Sequence, residues 1–202
     1  MQNDMTRDDL GKIEAGIRQK YFEVANTPEG KFQYPTGRKG LEILNYDKTL
    51  IDKLPNAVVS SYCGVGNPFS LGKINAGAKV LDVGCGAGVD TILAGMMVGP
   101  NGSAVGVDMV PEMIARAESN LKITGIVNVS FQNTAAENLS FPDDTFDVVI
   151  SNGVINLIPD KKAVLAEIHR VLKPGGHLMV ADQIAVSNVQ KDIKARLANW
   201  FQ

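Results

Sequence analysis

Apolar residues follow two patterns along the chain, and the change comes near Gly77. Leu10, Ile13, Ile17, Tyr21 and Val24 recur at spacings of three and four, which places them on one face of a helix over residues 7–26. Pro28-Glu29-Gly30 ends it. Residues 31–77 carry a second short helix around Leu41 to Asn45 and then loops rich in Gly, Pro and Asn. Residues 1–77 therefore read as an N-terminal helical cap, not a second full domain.

From residue 78 strand-sized apolar runs alternate with helical patterns, the sequence mark of a parallel α/β sheet. Lys79 to Val83 is a buried strand, followed by the loop Gly84-Cys85-Gly86-Ala87-Gly88 and a helix through Met97. Gly99-Pro100-Asn101-Gly102 stops that helix. Ala104 to Asp108 is strand two, and Pro111 opens a helix that Gly125 closes after Thr124. Val127 to Gln132 and Phe146 to Ser151 are strands three and four. Asp160 to Leu172 is a helix ended by Lys173-Pro174-Gly175-Gly176, and His177 to Ala181 is strand five. Ser187 caps a last helix with Val189, Ile193, Leu197 and Trp200 on one face. Right-handed crossovers predict a Rossmann-like sheet over residues 78–202, strand order 3-2-1-4-5, with helices on both faces.

Composition narrows the class. The chain has 202 residues, 45% hydrophobic and 21% charged, with a net charge of -2, values that fit an ordinary globular protein and offer no basic surface for nucleic acid. The apolar runs are shorter than the roughly 20 residues a bilayer crossing needs, and the polar start MQNDMTRDDL lacks a secretion signal. A cytoplasmic location with no membrane partner is expected. Two cysteines, Cys63 and Cys85, are too few for a disulfide framework, and His169 and His177 show no zinc spacing with them. No metal site is expected, and the two histidines read as surface or capping residues.

Chemistry concentrates in VLDVGCGAG, residues 80–88. A strand that ends in a glycine loop opening a helix turns backbone amides and the positive helix end toward the carboxyl edge of the sheet. Val89 stands where a dinucleotide fingerprint has its third glycine, and Asp82 lies two residues before the first glycine. That carboxylate suits an ammonium group and repels a pyrophosphate, which disfavours a nicotinamide oxidoreductase. Asp108, ending strand two in VGVDM, is placed to accept ribose hydroxyls. An amino acid joined to a nucleoside meets these demands.

VLDVGCGAG, VGVDM, DTFDVVISN and VLKPGG together resemble the ordered motifs of class I S-adenosylmethionine-dependent methyltransferases. YFEVANTPEG, YPTGR, CGVGNPF and SNGVINLIPDK are similar to the branch of ubiquinone/menaquinone C-methyltransferases and, more closely, arsenite methyltransferases. The resemblance implies that Asp82, Gly84, Cys85 and Gly86 surround the methionyl portion of S-adenosylmethionine, Asp108 the ribose and Met109 one adenine face. Ala135 stands where many relatives carry an adenine-binding aspartate, with the Ala136 backbone as a substitute. Ser151 and Asn152 would line the cofactor near the methyl group. Tyr62 would offer its ring to the sulfonium, and Asn156 would orient the acceptor or cap the following helix. Tyr21 and Tyr34 read as cap packing, and Arg38 as an anion grip or an exposed helix start.

Methyl transfer from a sulfonium is an in-line displacement from an activated donor, so no catalytic triad is implied. The acceptor implied is a small molecule. Arsenite enzymes carry thiols at two positions occupied here by Val65 and Gly153, so trivalent arsenic, a soft ion that thiolates hold, is the alternative acceptor. Relatives continue into two further strands where this chain ends at Asn199-Trp200-Phe201-Gln202. Strand five is then expected as an open edge that a homodimer would cover, and a cofactor-binding protein without transferase activity is the alternative of another class. Because hydrogen bonds to charged groups contribute about 1.5 to 3 kcal/mol, Asp108→Ala is expected to weaken S-adenosylhomocysteine binding more than roughly tenfold by calorimetry. Unchanged affinity in a folded variant would remove the ribose role.

Overall fold

A computed structural model describes residues 6–184. The predicted last helix from Ser187 lies outside these residues. Helix α1 (Arg7–Asn26) starts at a capping box in which the Thr6 hydroxyl accepts from Asp9 N while Thr6 N donates to the Asp9 carboxylate. Its predicted face buries Ile13, Ile17 and Val24. Helix α2 (Gly37–Ile43) falls slightly earlier than its pattern suggests, because Asn45 already adopts a positive φ of 56°.

The segment read as loops contains three more turns of helix: α3 (Lys48–Ile51), α4 (Asn56–Val59) and a 3-10 turn at Pro68–Leu71. Their caps are the polar residues that suggested loops. Asp47 accepts from Thr49 N at 2.8 Å and Asn67 from Phe69 N at 3.1 Å. Single turns are too short to show a 3.6-residue period.

The sheet comprises β1 (Lys79–Val83), β2 (Ser103–Asp108), β3 (Val129–Asn133), β4 (Phe146–Asn152) and β5 (Leu172–Ala181), all parallel in the order β3-β2-β1-β4-β5. Helices α5 (Val89–Val98), α6 (Pro111–Thr124) and α7 (Lys161–Val171) connect them. Asp160 caps α7 by accepting from Ala163 N at 3.1 Å, so Asn156 does not.

Two strand starts differ from the sequence reading by more than one residue. β3 starts at Val129, since Asn128 donates to the carbonyls of Gly95 and Gly99 and leaves Val127 95% exposed. β5 begins directly after α7, and Lys173 to Gly176 bulge out between the pairs Phe146–Leu172 and Val148–His177. The turn residues read as a helix stop thus sit inside a strand.

Each strand's alternation divides the core between the sheet faces. Val80, Val148 and Ile150 pack with α5 and the cap residues Leu41, Val58 and Tyr62, whereas Leu81, Val83 and Val149 pack with Val164 and Ile168 of α7. One apolar cluster therefore runs from the cap into the sheet.

Gly88 (φ 81°) and Gly125 (φ 70°) both adopt the left-handed conformation, but only Gly88 is crowded: a Cβ there would stand 2.5 Å from Phe131. Gly125→Ala is expected to cost about 1 to 2 kcal/mol for the backbone, and Gly88→Ala about 1 to 3 kcal/mol more for the overlap. Urea unfolding midpoints test the difference, and equal losses would refute the crowding.

Candidate functional site

The carboxyl ends of β1, β2 and β4 open onto a cleft lined by the glycine loop, the cap and the loop after β4. Its floor is the glycine loop. Gly84 N and Cys85 N both donate to Val107 O, at 2.8 and 2.9 Å, which ties the loop to β2. Asp108 completes the tie: one carboxylate oxygen accepts from Gly86 N and the other from Val110 N, both at 2.9 Å. Each oxygen keeps a second lone pair for a ligand hydroxyl. Asp108 therefore shapes the loop as well as facing the cleft.

Strand alternation decides which polar groups meet. Asp82 follows Val80 on the α5 face of β1, and Asn152 follows Ile150 on the same face of β4. Asp82 is buried and accepts from Thr91 Oγ1 at 2.6 Å. Asp90, in the first turn of α5, is buried beside them.

Asn152 is the junction. Its Oδ1 accepts from Val65 N at 2.9 Å and Gly66 N at 3.1 Å, drawing the cap's 62–66 turn onto the sheet. Its Nδ2 has two protons and four acceptors in reach, of which Gly66 O at 2.8 Å and Asp90 Oδ2 at 2.9 Å are nearest. Tyr62 and Tyr46 both donate to Gly66 O, at 2.9 and 3.0 Å, which places the Tyr46 hydroxyl near Asp90. Any Cβ at Gly64 would run into Asn152 Nδ2 and the Tyr62 hydroxyl.

Burial sets the charge states. It pushes the Asp90 carboxyl up to about 6 against the hydrogen bonds from Asn152 and Tyr46. It also raises Asp82 well above the usual carboxylate range, and the neighbouring Asp90 charge adds to the rise. Asp108 is also raised by burial, opposed by its backbone donors. Burial, with Asp108 and Asp90 nearby, pushes the Cys63 thiol up to about 12, and the Cys85 thiol is raised by burial and by Asp108 and Asp82. Both thiols are neutral at physiological pH.

Asp82, Gly84, Cys85, Gly86, Asp108 and Met109 line the cleft, as do Tyr62, Ala136 and Asn152. Three residues singled out from sequence do not. Ala135 faces away at the start of a turn closed by Asn138 N on its carbonyl, so Thr134, Ala136 and Glu137 form that wall. Ser151 points to the opposite sheet face, where its hydroxyl donates to Val83 O at 3.0 Å. Asn156 is a loop staple, its N–H donating to Asp182 at 2.8 Å, and Leu157 and Ile158 take the cleft wall instead. Arg38 pairs with Asp52, and Tyr34 donates to Cys63 O. His169 and His177 are exposed.

Asp90 and Tyr46 were missed. An acidic residue in a first helical turn looks like ordinary dipole compensation, and only the fold brings Asn152 against it.

A methyltransferase-domain family profile matches residues 74–201. The chain belongs to the class I S-adenosylmethionine-dependent methyltransferases. Within that family it is 37% identical over 159 residues to an arsenite methyltransferase of Halobacterium salinarum, covering 79% of this chain and 40% of the relative. It is 40% identical over 103 residues to a demethylmenaquinone methyltransferase of Geobacillus stearothermophilus, covering 51% and 44%. Among solved structures, an arsenic(III) S-adenosylmethionine methyltransferase of Chlamydomonas reinhardtii aligns with a TM-score of 0.56 and 34% identity, over 74% of this chain and 50% of that one. The chain spans about half the length of the curated relatives it matches, between 40% and 53% for the arsenite methyltransferases. No helix of the described residues is long and apolar enough to cross a membrane.

Asp90 ionises near 6 in the folded chain, above the value of about 3.9 expected when unfolded. The folded state thus binds the extra proton between these values, and this group's contribution to stability falls as pH rises through that window. Asp90→Asn is expected to raise the melting temperature of the ligand-free protein more at pH 8 than at pH 4. Equal shifts by calorimetry at both pH values would show that no ionised carboxylate is being relieved.

Proposed function

We propose that the chain binds S-adenosylmethionine in this cleft and transfers its methyl group to a small-molecule acceptor. Residues 1–77 act as the cap and residues 78–202 as the cofactor-binding part. The observation that carries the reading is the acidic lining of the cleft: Asp82, Asp90, Asp108 and Glu137 line it, and no Lys, Arg or His does among the described residues. Such a wall repels a pyrophosphate and favours a ligand with a positive end. The unpaired, buried Oδ1 of Asp90 fits the same ligand.

When bound, S-adenosylmethionine supplies a methyl group activated by a positively charged sulfur. Asp108 would hold the ribose hydroxyls, Met109 and Ala136 the adenine, and Asp82 with Gly84 and Gly86 the methionyl portion. Gly153, Val154, Leu157 and Ile158 give the remaining wall an apolar character. It positions the acceptor and excludes water, the main demands of an in-line displacement.

Arsenite as the acceptor is favoured by the names of the relatives at 30% to 38% identity. Val65 and Gly153 work against it. The two positions face each other, since a Cβ on Gly153 would stand 3.1 Å from a Val65 methyl. Neither offers a thiol, and the thiols of Cys63 and Cys85 are held neutral, whereas soft ions bind thiolates. A neutral carbon or oxygen nucleophile suits the site better.

Calorimetry is expected to show binding of S-adenosylhomocysteine and not of NADH. Methyl-transfer assays with trivalent arsenic against small phenolic and enolic acceptors then assign the substrate. Preferential NADH binding would overturn the cofactor, and turnover of arsenic alone would overturn the choice of acceptor.

A further inference from the structure

Asp90 is 7% exposed and lies on the cleft wall, yet its Oδ1 has no hydrogen-bond partner. Its other oxygen accepts from Asn152 Nδ2 at 2.9 Å. Leaving such an oxygen bare in an otherwise satisfied site is costly for an ionised group. Asp82, by contrast, is engaged by Thr91.

The groups around Asp90 contribute no positive charge of their own. Asp82 approaches from β1, Tyr46, Tyr62 and Cys63 from the cap, and the neutral Asn152 from β4, with Asp108 beyond Asp82. A cation must come with the ligand. We infer that Asp90 is a cofactor-binding residue whose free oxygen receives a positive charge of the cofactor. This assignment rests on the cofactor reading above and adds a role that the glycine loop and Asp108 do not fill.

The charge has two sources. The α-ammonium is present in S-adenosylmethionine and S-adenosylhomocysteine alike, the sulfonium only in the former, and 5′-methylthioadenosine has neither. Burial raises this carboxyl, so it is partly protonated at mildly acidic pH, and charge pairing releases protons there and fewer at pH 8. Titration calorimetry in buffers of different ionisation enthalpy reads the number released directly.

For the wild-type chain, release is expected with S-adenosylhomocysteine and S-adenosylmethionine and not with methylthioadenosine. Release with S-adenosylmethionine alone would assign the sulfonium, and release with both the ammonium. Asp90→Asn, checked for folding by circular dichroism, is expected to abolish the release and to weaken binding by about tenfold at pH 8, with little change at pH 5. Tyr46→Phe removes a nearby hydroxyl that favours the ionised carboxylate and is expected to move the release to higher pH in a chain that keeps Asp90. Binding of both cofactor forms without release, release that survives in Asp90→Asn, or release with methylthioadenosine overturns the role of Asp90. Failure of the wild type to bind either form overturns the cofactor reading as well.

Discussion

The carboxamide of Asn152 is the constraint on which the cleft depends. A parallel sheet presents its carboxyl edge as an open rim of loops, and something must fix the N-terminal segment over that rim. Beside the shared apolar cluster, the Asn152 side chain does so at the cleft, with its oxygen on two cap amides and its nitrogen on a cap carbonyl and a buried carboxylate. All of its strong hydrogen-bonding capacity is used in a partly buried setting, where a lost partner costs the full desolvation of the group left behind. Changing Asn152 to aspartate would set an acceptor against Gly66 O and the Asp90 carboxylate, losing both bonds, and add a charge beside Asp90.

The sheet was legible because its information is local. Buried parallel strands read as continuous apolar runs, and Pro111, Gly88, Gly99 and Gly125 punctuate the helices at positions that the structure shows to be a first turn, an N-cap and two C-caps. The cap was less legible, since α3 and α4 are four residues each. Their stability comes from Ile51, Val58 and Val59 entering the shared core, which no local pattern reveals.

At the site, legibility ended where direction matters. Ser151 and Asn152 are neighbours, and the pleat permits only one of them to reach the α5 face. The sequence marks the right end of β4 and leaves the choice open. Ala135 and Asn156 lie in turns whose register depends on remote partners, Asp182 in the case of Asn156. Asp90 needed the fold itself, because its unusual environment is assembled from the cap, β1 and β4.

The walls of the cleft are held with unequal strength. The floor belongs to strands buried on both sides, whereas Ile17 and Tyr21 come from α1, whose end packs with Val110 and Met113 in the smallest of the three apolar clusters. Regions with fewer buried contacts open at lower free energy than the core around them. The α1 wall therefore yields to the shape of a bound acceptor at lower free energy than the glycine-loop floor does.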